Sequence, residues 1–147
     1  MRGSALMSIS PNALSSSATL MGSLAKTLDV KTRDGIALAV SEADRCDYCL
    51  AAHSFIAGNL TKIPADVIEL NSSDPKRQAA VAFAKALIET RVKVSDAQFA
   101  AVSDAGWTDA DVVEMIALTA QFLVTNFMNN AVRTPIDFPE FSPANAA

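Results

Sequence analysis

The chain has 147 residues, half of them apolar, with 12 basic and 16 acidic side chains and a formal charge of −4. That length suits one domain, and the apolar share supplies a sizeable core. No stretch interleaves Lys or Arg with aromatic residues, which argues against a nucleic-acid groove, and no run reaches the roughly 20 continuous apolar residues of a bilayer span, which argues against a membrane segment.

The Ser-rich stretch 1–17, uncharged after Arg2, reads as a loose leader, with residues 1–14 flexible and the domain proper running from 15 to 139. Its apolar run ALMSI is too short for a signal peptide, so a cytoplasmic location is expected. A short helix is predicted around Ala18–Leu28. A second begins near Thr32, where Ile36, Ala39, Val40 and Ala43 recur at helical spacing and Asp34 falls in the expected first turn. Asp44-Arg45 breaks that pattern, and a third helix is predicted from Cys46 to Ala57, closed by Gly58 or Asn59.

Asp74-Pro75 then announces a helix to about Arg91, with Ala80, Phe83, Ala84 and Leu87 on one face. Ser95 with Gln98, and Thr108 with Asp111, are capping-box patterns for two more helices. The last is expected to reach about Asn129, with Val113, Ile116, Ala117, Thr119, Ala120 and Leu123 near its apolar side. Val112, Met115, Phe122 and Phe127 make the same helix apolar on other sides too, and a second chain is one way to cover them. Trp107 reads as a staple or core anchor, and Asn126, Asn129 and Asn130 as helix-end residues satisfying backbone groups. The three prolines of TPIDFPEFSPANAA predict an irregular end, including the tail 140–147. With no strand alternation anywhere, the fold class is all-α.

Both cysteines and the sole histidine lie in one short segment, as Cys46, Cys49 and His53. On a helix starting at Cys46 the three groups face one side. Cysteines three apart in regular helix hold their Cβ atoms about 5–6 Å apart, too far for a disulfide, so bonding requires Cys46 to sit at the adaptable helix start. Backbone N–H groups there favour thiolate, and His53 has an ordinary pKa suited to passing protons. Three readings stand at this point: a dithiol redox centre, a metal site that Asp34 would have to complete, and two inert core cysteines. Tyr48, between the cysteines, reads either as part of a substrate pocket or as a packed aromatic.

The segment TRDGIALAVSEADRCDYCLAAH, residues 32–53, resembles the signature of the AhpD-like alkylhydroperoxidases in the carboxymuconolactone decarboxylase superfamily, in which an acidic residue stands twelve positions before C-x-x-C-x-x-x-H. NFMNNAVRTPIDFP, residues 126–139, is similar to that family's C-terminal pattern. The resemblance implies an AhpD-like helical domain with the CxxC motif at a helix N-terminus, assembled as a homotrimer or homohexamer. It also implies thiol-dependent reduction of hydrogen peroxide or organic hydroperoxides, with an external dithiol or protein as reductant. Cys49 would be the attacking cysteine, Cys46 the resolving one, His53 the proton relay, and Asp34 would stand where Glu is usual. Tyr48 replaces a second histidine of the better-studied branch. This chemistry calls for no haem, flavin or metal, and no glycine-rich nucleotide motif is present. The competing class is a noncatalytic helical oligomer or redox-regulated interaction module, with a general dithiol oxidoreductase beside it.

Overall fold

Side-chain caps set where most of the helices begin. In a computed structural model, which describes residues 8–68 and 70–139, the elements are α1 (Pro11–Leu24), α2 (Val30–Ala43), α3 (Asp47–Phe55) continuing into a π-helical turn (Ile56–Leu60), α4 (Ala65–Ile68), α5 (Pro75–Glu89), α6 (Asp96–Asp104) and α7 (Asp109–Val132). The described residues are thus all-α, with no strand among them. Asp74 caps α5 through the Lys76 and Arg77 N–H groups, and the capping boxes at Ser95/Gln98 and Thr108/Asp111 are both closed. Trp107, between α6 and α7, donates its indole N–H to the Lys76 carbonyl at 2.8 Å and packs against the core.

Two helix starts differ from expectation. α1 begins at Pro11 rather than Ala18, because Ser10 accepts from the Ala13 N–H and Pro11 takes the first helical position; part of the presumed leader is therefore helix, and it ends at Leu24. α2 begins at Val30, capped by Asp29 through the Thr32 N–H, so Asp34 lies beyond the first turn and loses the favourable field of the helix end. Residues 1–7 and 140–147 of the expected leader and tail lie outside the described residues.

α2 is the central helix. Gly35, Ile36, Ala37, Leu38, Ala39, Val40 and Ser41 are all buried in succession, which requires cover on every side. On one side Ile36, Ala37 and Val40 join Leu24, Phe83, Leu87, Val102, Val112, Met115, Leu118 and Phe122 in the main core. On another, Leu38 packs with Ala57, Ile63, Val67 and Ile68, which anchors the connection after α3.

The core face of α7 is Val112, Met115, Leu118, Thr119, Phe122, Asn126 and Asn129, whereas Val113, expected inside, is 65% exposed. Ile116, Ala117 and Leu123 only flank the core. A helix with apolar residues nearly all round has no sequence contrast from which to read its phase, and packing against α1, α2, α3 and α5 chooses the seam instead. By length and hydropathy α7 meets the minimum for a membrane-crossing helix, but Gln121, Asn126 and Asn129 are buried polar residues within this packed helix.

Candidate functional site

α2 ends in a turn that also starts α3. Arg45 adopts left-handed backbone (φ 53°), its N–H donates to the Glu42 carbonyl at 3.1 Å, and the Cys46 N–H donates to the Ser41 carbonyl at 2.9 Å. This is the hydrogen-bond pattern of a Schellman closure. The residue that completes it, Cys46, is at the same time the N-cap of α3: its Sγ accepts from the Cys49 N–H at 3.3 Å. Freed from helical geometry in this way, Cys46 is disulfide-bonded to Cys49, with Cα atoms 5.2 Å apart. Both residues are buried.

His53 lies one turn beyond Cys49 on α3, its ring edge-on to Phe122 of α7 with centroids 5.2 Å apart. Burial pushes its pKa down from 6.5 to about 4, so the imidazole is neutral at physiological pH rather than poised at its ordinary value. Among the described residues no hydrogen bond joins it to Asp34. The Asp34 carboxylate instead accepts from the Thr61 hydroxyl at 2.7 Å, which ties α2 to the end of the π-helical turn. Burial raises the Asp34 pKa from its ordinary value, against the opposing effects of the Thr61 hydrogen bond and the Arg33 charge. The helix expected to close at Gly58 or Asn59 thus continues through this wider turn, in which the Thr61 N–H reaches the Ile56 carbonyl at 3.0 Å.

A residue that sequence reasoning assigned to local structure touches the site directly. Asn129 of α7 donates its side-chain N–H to Cys49 Sγ at 3.4 Å and to the Thr125 carbonyl at 3.0 Å, and its carbonyl accepts from the Thr134 hydroxyl at 2.9 Å. α7 ends as α2 does: Arg133 is left-handed (φ 52°) and the Thr134 N–H donates to the Asn129 carbonyl at 3.0 Å. That closure sets Thr134 against Asn129. Asn130 ties the same helix end to Asp44, through its carbonyl at 3.1 Å and its carboxylate at 3.3 Å. Asn126, one turn before Asn129, is fully buried with both amide atoms unpaired among the described residues.

The irregular segment after α7 folds along α3, where Phe138 packs on Tyr48 near its start and Phe55 at its end, with ring centroids 5.5 and 5.7 Å apart. Tyr48 is thus a packed aromatic, and it also lines a cavity of about 260 Å³ with Arg45, Asn129, Arg133 and Thr134. A larger cavity of about 410 Å³, lined by Leu87, Ile116, Ala120, Leu123 and Phe127, contains none of the cysteines or His53. Among the described residues, no three His, Cys, Asp or Glu side chains come together as metal ligands.

The carboxymuconolactone decarboxylase family matches residues 14–72, a segment that holds the cysteine pair, His53 and Asp34. A solved alkylhydroperoxidase AhpD core, a peroxidase-related protein from Ralstonia eutropha JMP134, is 26% identical, with a TM-score of 0.77 over 89% of this chain and 74% of its own. The chain has the AhpD-like fold. A second peroxidase-related protein, from Silicibacter sp. TM1040, shares the AhpD-like architecture at 21% identity and a TM-score of 0.72, over 84% of this chain and 70% of its own. So does the debrominase Bmp8 in its apo form, at 24% identity and a TM-score of 0.79, over 98% of this chain and 80% of its own. No curated protein matches the sequence.

Proposed function

We propose that the protein is a dithiol peroxidase that reduces hydrogen peroxide or organic hydroperoxides. The observation that carries this reading is the Cys46–Cys49 disulfide closed at the N-cap of α3, within an AhpD-like fold. In the reduced protein the Cys49 thiolate attacks the terminal peroxide oxygen; the S–O bond forms, the O–O bond breaks, and the departing alkoxide or hydroxide takes up a proton. Cys46 then attacks the Cys49 sulfenic acid. The S–S bond forms as the S–O bond breaks, and the oxygen leaves as water. An external dithiol or protein reductant supplies the two electrons that reopen the disulfide. The neutral imidazole of His53 passes protons without retaining them, and Asp34, whose pKa burial raises, serves as a second proton carrier.

Fold likeness does not select the oxidant, since the same architecture carries a debrominase. Peroxide chemistry is tested by mixing reduced protein with hydroperoxide and following thiol loss together with intact mass. Cys49→Ser is expected to abolish peroxide consumption. Cys46→Ser is expected to stop after one oxidation, at a Cys49 sulfenic acid. No thiol loss in the native protein would sink the activity, and unchanged turnover in Cys49→Ser would reverse the two roles.

Assembly belongs to the same reading. Val113 and Phe127 stand 65% and 59% exposed on α7, with the 410 Å³ apolar cavity beside Phe127, and a second copy of the chain is the proposed cover.

A further inference from the structure

We propose that Asn129 is a catalytic residue of the dithiol centre, which holds Cys49 as a thiolate and is itself held in register by Thr134. The inference rests on the dithiol reading above and names a group that the cysteine motif does not contain.

Among the described residues an N–H donor reaches each sulfur of the pair. Cys46 receives the backbone N–H of Cys49 at 3.3 Å, as any N-cap acceptor would. Cys49 lies inside the first turn of α3, with no cap position of its own, and its sulfur receives the Asn129 side-chain N–H at 3.4 Å. Without Asn129 the described residues would offer Cys49 Sγ no hydrogen-bond donor in its buried position. A buried anion without a donor is strongly disfavoured, whereas an N–H fixed beforehand at the atom where charge develops stabilises it without reorganisation.

The amide has one useful orientation. Turned the other way, it would point its carbonyl oxygen at the sulfur and repel a thiolate. Two contacts prevent the turn: the Thr134 hydroxyl donates to Asn129 Oδ1 at 2.9 Å, and Asn129 Nδ2 donates to the Thr125 carbonyl at 3.0 Å. Thr134 reaches Asn129 because Arg133, in left-handed backbone, ends α7 and returns the chain onto its last turn. The closure of one helix therefore positions the donor that acts on a cysteine of another.

The contact is made to the disulfide-bonded sulfur. When an external thiolate attacks Cys46, its sulfur bonds to Cys46, the S–S bond breaks, and the electron pair lands on Cys49 Sγ, where the N–H already points. In the forward direction the same donor favours the thiolate that attacks the oxidant. Asn129 acts in both halves of the cycle, on one atom.

The test uses an alkylating agent rather than a hydroperoxide, so it can fail independently of the peroxidase reading. In a Cys46→Ser background, where Ser retains an N-cap oxygen and Cys49 is the sole thiol, the rate of iodoacetamide modification is followed against pH by intact mass. Adding Asn129→Leu is expected to lower the Cys49 thiolate fraction near neutrality about tenfold, the effect of one hydrogen bond to a charged group. Thr134→Val is expected to lower it less, and Thr134→Ser to restore the original profile. The titratable and charged groups around the site, namely Tyr48, His53, Asp44, Asp47, Arg45 and Arg133, are the same in every variant. Circular dichroism checks the fold; if Asn129→Leu fails to fold, the Thr134 pair decides. An unchanged profile in folded Asn129→Leu, or in Thr134→Val where only that pair is available, would overturn the assignment.

Discussion

The depressed pKa of His53 makes the fold's acid sensitivity predictable. In the unfolded chain the ring binds a proton at about pH 6.5, and in the folded protein only at about 4. Between those values the unfolded state holds more protons, so stability rises with pH and is lost as pH falls from about 6.5 toward 4. The full separation amounts to roughly 3 kcal/mol at 1.36 kcal/mol per pKa unit, of which about 2 kcal/mol is lost between pH 7.5 and pH 5. For a domain of this size that loss lowers Tm by roughly 4–8 °C. The assay is thermal melting of the native protein and His53→Gln at both pH values. Carboxylates titrate in both proteins, so the difference between the two pH dependences isolates the ring. Among those groups, burial raises Asp34 and Asp44, while hydrogen bonds from the Thr108 hydroxyl and N–H lower Asp111. His53→Gln is expected to lose most of the acid sensitivity, whatever its stability at pH 7.5. Equal Tm shifts in the two proteins would show that the ring is not held neutral by burial, and its assignment as a neutral relay would fall with that result.

Gly35→Ala should destabilise the fold by about 1–3 kcal/mol in a denaturant titration, since the added methyl would meet Val81 Cγ2 at 2.9 Å where α2 packs on α5; an unchanged midpoint would mean that this contact yields freely. Light scattering of the native chain should give an oligomer, and Phe127→Asp should shift it toward monomer by placing a charge on the exposed face of α7. A native monomer across the concentration series would remove the proposed assembly.

The helix starts at Asp74-Pro75, Ser95 and Thr108 are legible in the sequence because a cap is a local device: a side chain two or three residues before the N–H it satisfies. Ser10-Pro11 carries the same kind of signal within a Ser-rich stretch whose composition suggests a leader. The cysteine spacing was equally local. A break at Asp44-Arg45 placed Cys46 at a helix start, and a left-handed Arg45 is how the backbone makes that break.

What the sequence could not supply depends on which surfaces meet. The phase of α7 was set by its neighbours, because a helix apolar on most sides offers no contrast until packing buries Val112 and leaves Val113 outside. The neutral state of His53 follows from removing water around the ring, a consequence of α3 lying against Phe122. Asn129 and Cys49 are 80 residues apart, and as a letter in the sequence Asn129 is an ordinary helix-end residue. Capping and CxxC spacing were determined by interactions within a turn or two of the chain. The donor on the sulfur, the protonation of the histidine and the buried face of the longest helix were decided only by tertiary packing, which alone fixes which polar groups lose water and what replaces it.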